Sequence, residues 1–343
     1  MKNINSNFKK KLIVHLGIYS LLTVLILIIA PFIGSEKLDW VKIMRDLYSD
    51  SEGSDSRIFY FIRIPRIILG FLAGGSLALV GSVFQVVLRN PLATPFTLGV
   101  TGGGTLGAVI AISLPTFYIN IGPFSTVQLF SLLGSFAVIS LIYSFSQSRH
   151  GISMNTLLLA GVTIGIISGA FVLFFRYIVN PNLLVAMDRW MMGGLSLNGF
   201  KELSALFTLL IPGLFMLFAQ TNSLNLLTFG SEIAAGHGVE VRKVQFRSLI
   251  GGCLATASVV SMTGPIGFIG LIIPHGIRRL SGYDHRIVMP GSFLVGGGFL
   301  VLCDIIARTI VSPAEIPVGI ITAMIGGPIF IKILLRKRKK EIF

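Results

Sequence analysis

The sequence predicts an all-α polytopic membrane protein with about ten transmembrane helices. Of its 343 residues, 53% are hydrophobic and only 12% are charged, and the mean hydropathy is +0.84. A soluble domain cannot bury so much apolar surface, so the surrounding solvent is predicted to be lipid. A helix needs about 20 apolar residues to cross roughly 30 Å of hydrocarbon, and about ten such stretches follow one another. No strand-length alternation indicates a barrel.

Short polar turns separate the apolar stretches and so fix the approximate limits of each helix. The first helix follows three lysines; it is predicted to be retained, because its apolar stretch is too long for a cleaved signal and no small-residue cleavage site follows. The eighth is short, and its last residues include Pro274-His275, after which a basic, hydrated turn is expected. The predicted spans are about 12–33, 63–85, 96–114, 127–145, 156–177, 203–220, 247–263, 265–277, 288–307 and 318–335.

The chain is predicted to form a single transmembrane domain, 1–343, with polar segments between and beyond the spans. A short interfacial helix is expected near Trp40 to Leu47, and a partial surface helix is expected within 180–200. The segments are the N-terminus 1–11, an external loop 34–62, a cytoplasmic stretch 222–245 and a basic tail 336–343.

The basic residues are distributed unevenly between the two sides of this topology. Of the 28 Lys and Arg, 18 fall on one side, and most of the 14 acids fall on the other. This is the positive-inside asymmetry, and it predicts that both termini are cytoplasmic. The net charge of +14 therefore indicates contact with lipid headgroups and predicts no nucleic-acid partner.

The 39 glycines are expected to mark close helix–helix contacts. Helices in lipid gain nothing from the hydrophobic effect by touching, so small residues that allow close backbone approach hold them together. Cys253 and Cys303 fall inside apolar spans and are predicted to be small core residues. The clearest glycine groups are Gly74-Gly75, Gly102-Gly103-Gly104, Gly296-Gly297-Gly298 and Gly326-Gly327.

Several classes of site are missing from the sequence. No Gly-x-x-x-x-Gly-Lys-[Ser/Thr] loop occurs, so the chain has no such nucleotide site of its own. No His/Cys spacing or His-Glu-x-x-His motif predicts a metal, and no catalytic residue or cofactor is expected. Asp304 is the main ionisable residue within a span, whereas ion-coupled carriers usually keep buried carboxylates for the coupling ion.

Taken together, the motifs resemble those of the FecCD-type permease family, the membrane subunits of type II ABC importers for ferric siderophores, haem and cobalamin. The resemblance runs from about Arg63 to Leu335 and depends on the shared order of several separate blocks. The blocks are Arg63-x-Pro65-Arg66; Gly81-x-x-x-Gln85; Arg89-Asn90-Pro91-Leu92-Ala93-x-Pro95 and Leu98-Gly99; Leu157 to Gly161; Trp190 to Gly194; Gly264-Pro265-Ile266-Gly267-Phe268-Ile269-Gly270-Leu271 through Pro274-His275; Asp284-His285-Arg286; Asp304-x-x-x-Arg308; Glu315-x-Pro317-x-Gly319; and Gly327-Pro328-x-Phe330.

The resemblance implies the type II ABC importer permease fold, with ten helices per subunit, in a bacterial plasma (inner) membrane. It also implies a second permease subunit, two cytoplasmic ABC ATPase subunits and an external substrate-binding lipoprotein. The implied function is ATP-driven import of an iron complex, with a ferric siderophore expected first and haem or cobalamin next. The alternative is an ion-coupled secondary transporter or channel.

The resemblance also implies three groups of site residues. Arg63, Arg66 and Arg308 are expected to dock the binding protein through its acidic side chains, with Glu315 on the same face and placed to pair with Arg308. Ser231 to Gly238 resembles the helix that contacts the ATPase, with Glu232, Ala235 and Gly238 as the expected coupling residues. A second ATPase-facing patch is expected at His275, Arg278, Asp284, His285 and Arg286. An inner gate is expected at Ser153, Met154 and Asn155. Gln85 and Asn90 are expected either to line the pathway or to cap helix ends.

Overall fold

The computed structural model describes residues 2–36, 38–49, 53–114, 121–148, 151–197 and 199–341. Within these ranges the chain folds almost entirely into α-helices, with one short hairpin of Gln147–Ser148 and Gly151–Ile152. The helices are α1 Lys2–Ile29, α2 Trp40–Ser49, α3 Ser54–Arg57, α4 Ile64–Val87, α5 Val100–Ser113, α6 Thr126–Ser146, α7 Met154–Ile178, α8 Pro181–Met191, α9 Phe200–Phe218, α10 Thr221–Leu227, α11 Ser231–Gly236, α12 Val241–Thr263, α13 Ile269–Ser281, α14 His285–Thr309 and α15 Val318–Glu341.

Each of the ten predicted spans coincides with a helix, namely α1, α4 to α7, α9 and α12 to α15. Among the described residues, seven helices are long and apolar enough to cross a membrane by length and composition. Helix α5 and the segment Val318–Ile333 of α15 are shorter apolar helices, and α13 has only 13 residues. The predicted fold class is therefore confirmed, while "about ten" remains an approximate count.

Three predicted boundaries are wrong. The segment 34–62 is not all loop, because α3 begins at Ser54 and continues through a π-helical turn, Ile58–Arg63, into α4. Helix α12 begins at Val241, inside the segment predicted as cytoplasmic loop. Helix α13 begins at Ile269 rather than near 265, and it passes through Pro274 and His275 to end at Ser281. The hydrated turn expected after residue 277 thus begins about one helical turn later, after Ser281.

Helix α4 lies at the centre of the bundle. It packs against α14, α13 and α12, and most of its side chains are buried. Close backbone approach makes this packing possible: a Cβ on Gly74 would strike the carbonyl oxygen of Gly296, and one on Gly81 would strike that of Gly270. The expectation that glycine groups mark helix contacts is confirmed here, as small residues at such crossings let helices associate in lipid.

A second glycine seam joins α5 to α6. A Cβ on Gly103 would strike the carbonyl oxygen of Gly134, and a Cβ on Gly134 would strike that of Gly103. A Cβ on Gly107 would likewise strike the carbonyl oxygen of Phe130. At the predicted Gly326-Gly327 contact only Gly326 is packed closely: a Cβ there would strike the Phe268 side chain, whereas nothing lies within 4 Å of the Cβ position of Gly327. The outer helices α1 and α7 instead leave most of their apolar side chains exposed, as helices facing lipid or another subunit do.

Candidate functional site

Helix α4 carries a group of interacting polar side chains at each of its ends. Arg66 lies in its first turn and Gln85 lies in its last, so the two residues are about 28 Å apart at 1.5 Å per residue. The arginine cluster, at the first end, consists of Arg63, Arg66, Asp304, Arg308 and Glu315. The glutamine cluster, at the second end, consists of Gln85, Arg89 and Arg278, which line one pocket, while Asn225 and Asp284 form a separate pair at the start of α14.

Asp304 is the centre of the arginine cluster. Its residue is 1% exposed, and its carboxylate accepts from Arg66 Nε and Nη2 at 3.0 and 2.8 Å. The Nε atom of Arg308, one helical turn further along α14, lies 3.0 Å from the other carboxylate oxygen. Hydrogen-bonded charges that are buried together satisfy one another, whereas removal of one partner leaves an uncompensated charge. Asp304 therefore fixes two guanidinium groups at once.

Glu315 completes the cluster from the turn before α15, and its partner differs from the predicted one. Its Oε2 atom lies 2.7 Å from Arg66 Nη1, whereas Arg308 donates to Asp304 instead. The predicted Glu315–Arg308 pair is therefore wrong. The physical reason is that Arg308 lies four residues after Asp304 on the same helix, where an i, i+4 ion pair forms readily.

Arg63 faces the other side of the same pocket. Its guanidinium donates to the backbone carbonyls of Pro31, at 2.7 Å, and Glu36. Arg63 is 4% and Arg308 is 3% exposed, so neither presents a free cation at the surface, contrary to the simple expectation for docking residues. A pocket of about 240 Å³ nonetheless brings Arg63, Arg66, Arg308 and Glu315 together in one lining.

The glutamine cluster joins α4 to α13. Gln85 Nε2 donates to the carbonyl of Gly270 at 2.9 Å, while Gln85 Oε1 accepts from Arg278 Nη1. Arg278 Nη2 also donates to the carbonyl of Ser82 at 3.0 Å. Gln85 is buried, and its side chain bonds to α13 and does not cap a helix end. Arg278 is half-buried and is likewise occupied inside the fold.

The Asp284-His285-Arg286 motif is mainly a helix start. Asp284 Oδ1 accepts from the Arg286 backbone N–H at 2.9 Å, which caps α14, and from Asn225 Nδ2 at 2.9 Å. His285 is 1% exposed, and neither ring nitrogen has a hydrogen-bond partner among the described residues. The expectation that His285 faces the ATPase is therefore wrong for this conformation. Arg286 is exposed, and His275 is half-buried within α13 rather than at its end.

Helix α11 projects from the same end of the bundle. Glu232, Ala235 and Gly238 are all exposed, while Ala234 between them is fully buried and anchors the short helix. Gly230 and Gly238, with φ of 128° and 81°, bound the segment at positions where side chains other than glycine are strained. Ile233 and Phe229 add exposed apolar surface beside it. The expected short helix is thus observed at this position, and it ends at Gly236.

The expected gate residues lie at the start of α7. The Ser153 hydroxyl accepts from the Thr156 N–H at 3.4 Å and caps α7, and Met154 and Asn155 are the first residues of that helix. The preceding residues 149 and 150, predicted to be part of an inside turn, lie outside the described residues. Asn90 Oδ1 accepts from the Leu92 N–H at 2.9 Å, so its side chain closes a turn and caps no helix.

Backbone contacts join three of the glycine-containing motifs, those around Gly194, Gly264 and Gly319, which could not be predicted from the sequence. The Gly194 N–H donates to the carbonyl of Thr263 at 2.8 Å, and the Gly319 N–H donates to that of Gly193 at 3.2 Å. A Cβ at Gly264 would strike the carbonyl oxygen of Trp190. The available signal was the glycine in each of the three blocks, but glycine alone does not say which blocks meet.

The described residues contain no group of three His, Cys, Asp or Glu side chains placed to hold a metal ion. Cys253 and Cys303 are buried and unbonded to each other, as small core residues would be. The candidate functional features are therefore the two clusters at the ends of α4, the pocket at the arginine cluster and the surface of α11.

Comparison with known proteins places the chain among transport proteins. Residues 21–336 match the FecCD transport family. The chain is 35% identical over 319 residues to the hemin transport system permease protein HmuU of Yersinia pestis, with 92% of this chain and 95% of HmuU covered. It is 39% identical over 278 residues to the cobalamin import system permease protein BtuC of Halobacterium salinarum, with 81% and 73% covered.

A solved structure has the same fold. It is described as an inward-facing conformation of a metal-chelate type ABC transporter, and it superposes with a TM-score of 0.81 at 29% identity. The match covers 94% of this chain and 98% of that one, so nearly every helix described above has a counterpart there.

Proposed function

The chain belongs to the FecCD transport family of ABC transporter permeases, multi-pass proteins of the inner membrane, and from this membership we propose that it forms the translocation pathway of an ATP-driven importer of an iron complex. Two copies, or one copy and a related permease, enclose the pathway. Two ABC ATPase subunits hydrolyse ATP on the cytoplasmic side, and a lipoprotein delivers the substrate from outside. Both termini are cytoplasmic, in keeping with the uneven distribution of basic residues.

The observation that carries this proposal is the position of the exposed helix α11 at the opposite end of α4 from the arginine cluster. A short helix with exposed Glu232 and Ala235, fixed beneath by buried Ala234, suits insertion into a groove of a partner protein. Ser231 at its start also accepts from Arg89 Nη2 at 2.8 Å, which ties α11 to the end of α4. Closure of the ATPase subunits on α11 would thus act on the central helix of the bundle.

The arginine cluster is proposed to dock the binding protein. Guanidinium groups bind carboxylates in a defined geometry and steer acidic partners during encounter. Arg66 provides the direct contact, because its nitrogen Nη1 reaches the exposed Glu315 at the rim of the pocket. Arg63 and Arg308 are buried and contribute mainly by shaping that pocket and its charge.

The substrate is proposed to be a metal chelate, with a ferric siderophore first, and haem or cobalamin next. The similar proteins named above are described as acting on hemin, cobalamin and metal chelates, which supports this class of large, metal-containing cargo. The gate is proposed at Ser153, Met154 and Asn155, at the α11 end of the bundle.

The proposal is tested by reconstitution. The chain is purified, combined with its cognate ATPase and binding protein, and placed in proteoliposomes. We expect the loaded binding protein to stimulate ATP hydrolysis several-fold and to drive uptake of one radiolabelled cargo from a panel of ferric hydroxamate, ferric catecholate, haem and cobalamin. Absence of stimulation by every loaded form would overturn the importer assignment.

An ion-coupled carrier is the second candidate, and the same vesicles test it. Uptake that continues without ATP and follows a proton or sodium gradient would favour that class. The state of Asp304 argues against it, because the carboxylate is bound on both sides by Arg66 and Arg308 and offers no free oxygen for a coupling ion.

A further inference from the structure

We propose that Glu315 is an internal competitor for the docking site: it occupies the guanidinium nitrogen of Arg66 that an acidic side chain of the binding protein would use, and docking displaces it. This inference rests on the proposed function, since the binding protein is the occupant. It changes the expected role of Glu315 from a residue that helps docking to one that restrains it.

The geometry of Arg66 leaves one direction for an incoming carboxylate. Its Nε and Nη2 atoms both donate to Asp304, which is buried and shared with Arg308. Its Nη1 atom lies 2.7 Å from Oε2 of Glu315, whose side chain is 40% exposed. Asp304 is therefore a permanent partner, whereas Glu315 is the partner that solvent and another protein can reach.

Because of the charges around the pocket, replacing Glu315 at Arg66 by an external carboxylate costs little free energy. The lining contains three guanidinium groups, of Arg63, Arg66 and Arg308, and Glu36 and Glu315 lie beside them with Asp304 beneath. Three cations thus face three carboxylates, and the group has no net charge. When an external carboxylate replaces Glu315, the balance at Arg66 is unchanged and no buried charge is left without a partner.

The pocket also offers an incoming acid a donor that Glu315 does not use. The Nη2 atom of Arg308 is buried and has no hydrogen-bond partner among the described residues, although Arg308 lines the pocket. A buried donor without an acceptor is unfavourable, so an incoming carboxylate that reaches this nitrogen after the lining side chains shift gains a bond that Glu315 lacks. This gives the external carboxylate an advantage over the internal one.

The first test needs no partner protein and uses p-hydroxyphenylglyoxal, which modifies accessible guanidinium groups. The purified full-length chain, its Glu315→Gln variant and its Asp188→Asn variant are labelled, and the modification of Arg66 is followed by peptide mass spectrometry. Asp188 is the matched control, because it is also a partly exposed carboxylate paired with an arginine, Arg176, at 3.0 Å. We expect faster labelling of Arg66 in Glu315→Gln alone. Equal labelling in all three proteins would overturn the inference.

The second test measures docking of the loaded binding protein on the same three proteins in nanodiscs, at low and high salt. We expect the dissociation constant to fall by about threefold to tenfold for Glu315→Gln, and by less than about twofold for Asp188→Asn, because only the first releases the docking nitrogen. Unchanged or weaker docking of Glu315→Gln, beside normal docking of the unmodified chain, would refute the competitor role while leaving the importer intact. If no variant docks at all, the proposed function itself fails, and the inference with it.

Discussion

Arg66 and Asp304 join α4 to α14 through a two-nitrogen ion pair, with Nε and Nη2 of the arginine 3.0 and 2.8 Å from the same carboxylate oxygen. The residues are 238 positions apart in sequence, so the pair exists only because the two helices pack closely. The same carboxylate also binds Arg308. Stability and the shape of the proposed docking pocket therefore depend on one buried side chain.

Replacement of Asp304 by asparagine should destabilise the fold strongly. Two buried guanidinium groups would lose their shared counter-charge, and breaking a buried ion pair costs about 3–5 kcal/mol. Thermal unfolding in detergent measures the loss. Asp188→Asn, at a partly exposed ion pair, should cost no more than about 1 kcal/mol. Similar melting temperatures for the two variants would contradict the central role of Asp304.

Gly74→Ala should weaken the contact between α4 and α14. Its Cβ would strike the carbonyl oxygen of Gly296, and overpacking of this kind costs about 1–3 kcal/mol. Gly169→Ala on the outward-facing α7 is the control, because nothing lies within 4 Å of that Cβ position. Melting in detergent should separate the two variants, and a Gly74→Ala protein as stable as the control would show that the helices can move apart freely.

Gln85 and Arg278 should be energetically coupled. Gln85→Leu removes the acceptor of Arg278 and the donor to Gly270, while Arg278→Ala removes the same bond from the other side. In a double-mutant cycle of unfolding free energies we expect an interaction of about 1–3 kcal/mol. Simple addition of the two single effects would mean that the bond makes no difference to stability.

Ala235→Trp should prevent the ATPase from binding without harming the permease fold. The side chain is exposed on α11, so a large residue fits in the isolated chain but fills the space that a groove-binding helix needs. Co-purification with the ATPase should fall by about tenfold or more, which corresponds to a loss of about 1.4 kcal/mol, with an unchanged melting temperature. Ala186→Trp, exposed on α8, is the control and should co-purify normally.

The positions of the helices could be predicted because hydropathy is a local property of the chain. The start of α13 could not. The sequence predicts that the glycine-rich helix starts near residue 265, but Phe268 has a φ of 68° and the helix starts only at Ile269. A phenylalanine in the left-handed region is rare and is held there by its neighbours: a Cβ on Gly326 would overlap the Phe268 side chain. Such a contact is invisible until α15 has been packed.

All members of the arginine cluster except Asp304 were expected at one site, but neither the central position of Asp304 nor the pairing could be predicted. Arg308 and Glu315 are seven residues apart, and Arg66 lies in a distant part of the sequence. The observed pairs depend on the rotation of α4 against α14, which the glycine contacts at Gly74 and Gly296 determine. The burial of His285 and Arg278 was missed for a related reason, since a basic or polar residue near a helix end is normally solvated.

Because α4 extends without a break between the two clusters, it can act as a lever. With Arg66 and Gln85 about 28 Å apart, a tilt of α4 by about 10° around one end would displace the other end by about 5 Å, close to the length of one helical turn. A small rotation of α4 that starts at the α11 end, and that leaves the helices folded, would then change the shape of the pocket at the arginine cluster. Such a displacement requires only that α4 stay straight and rotate about a point near one of its ends.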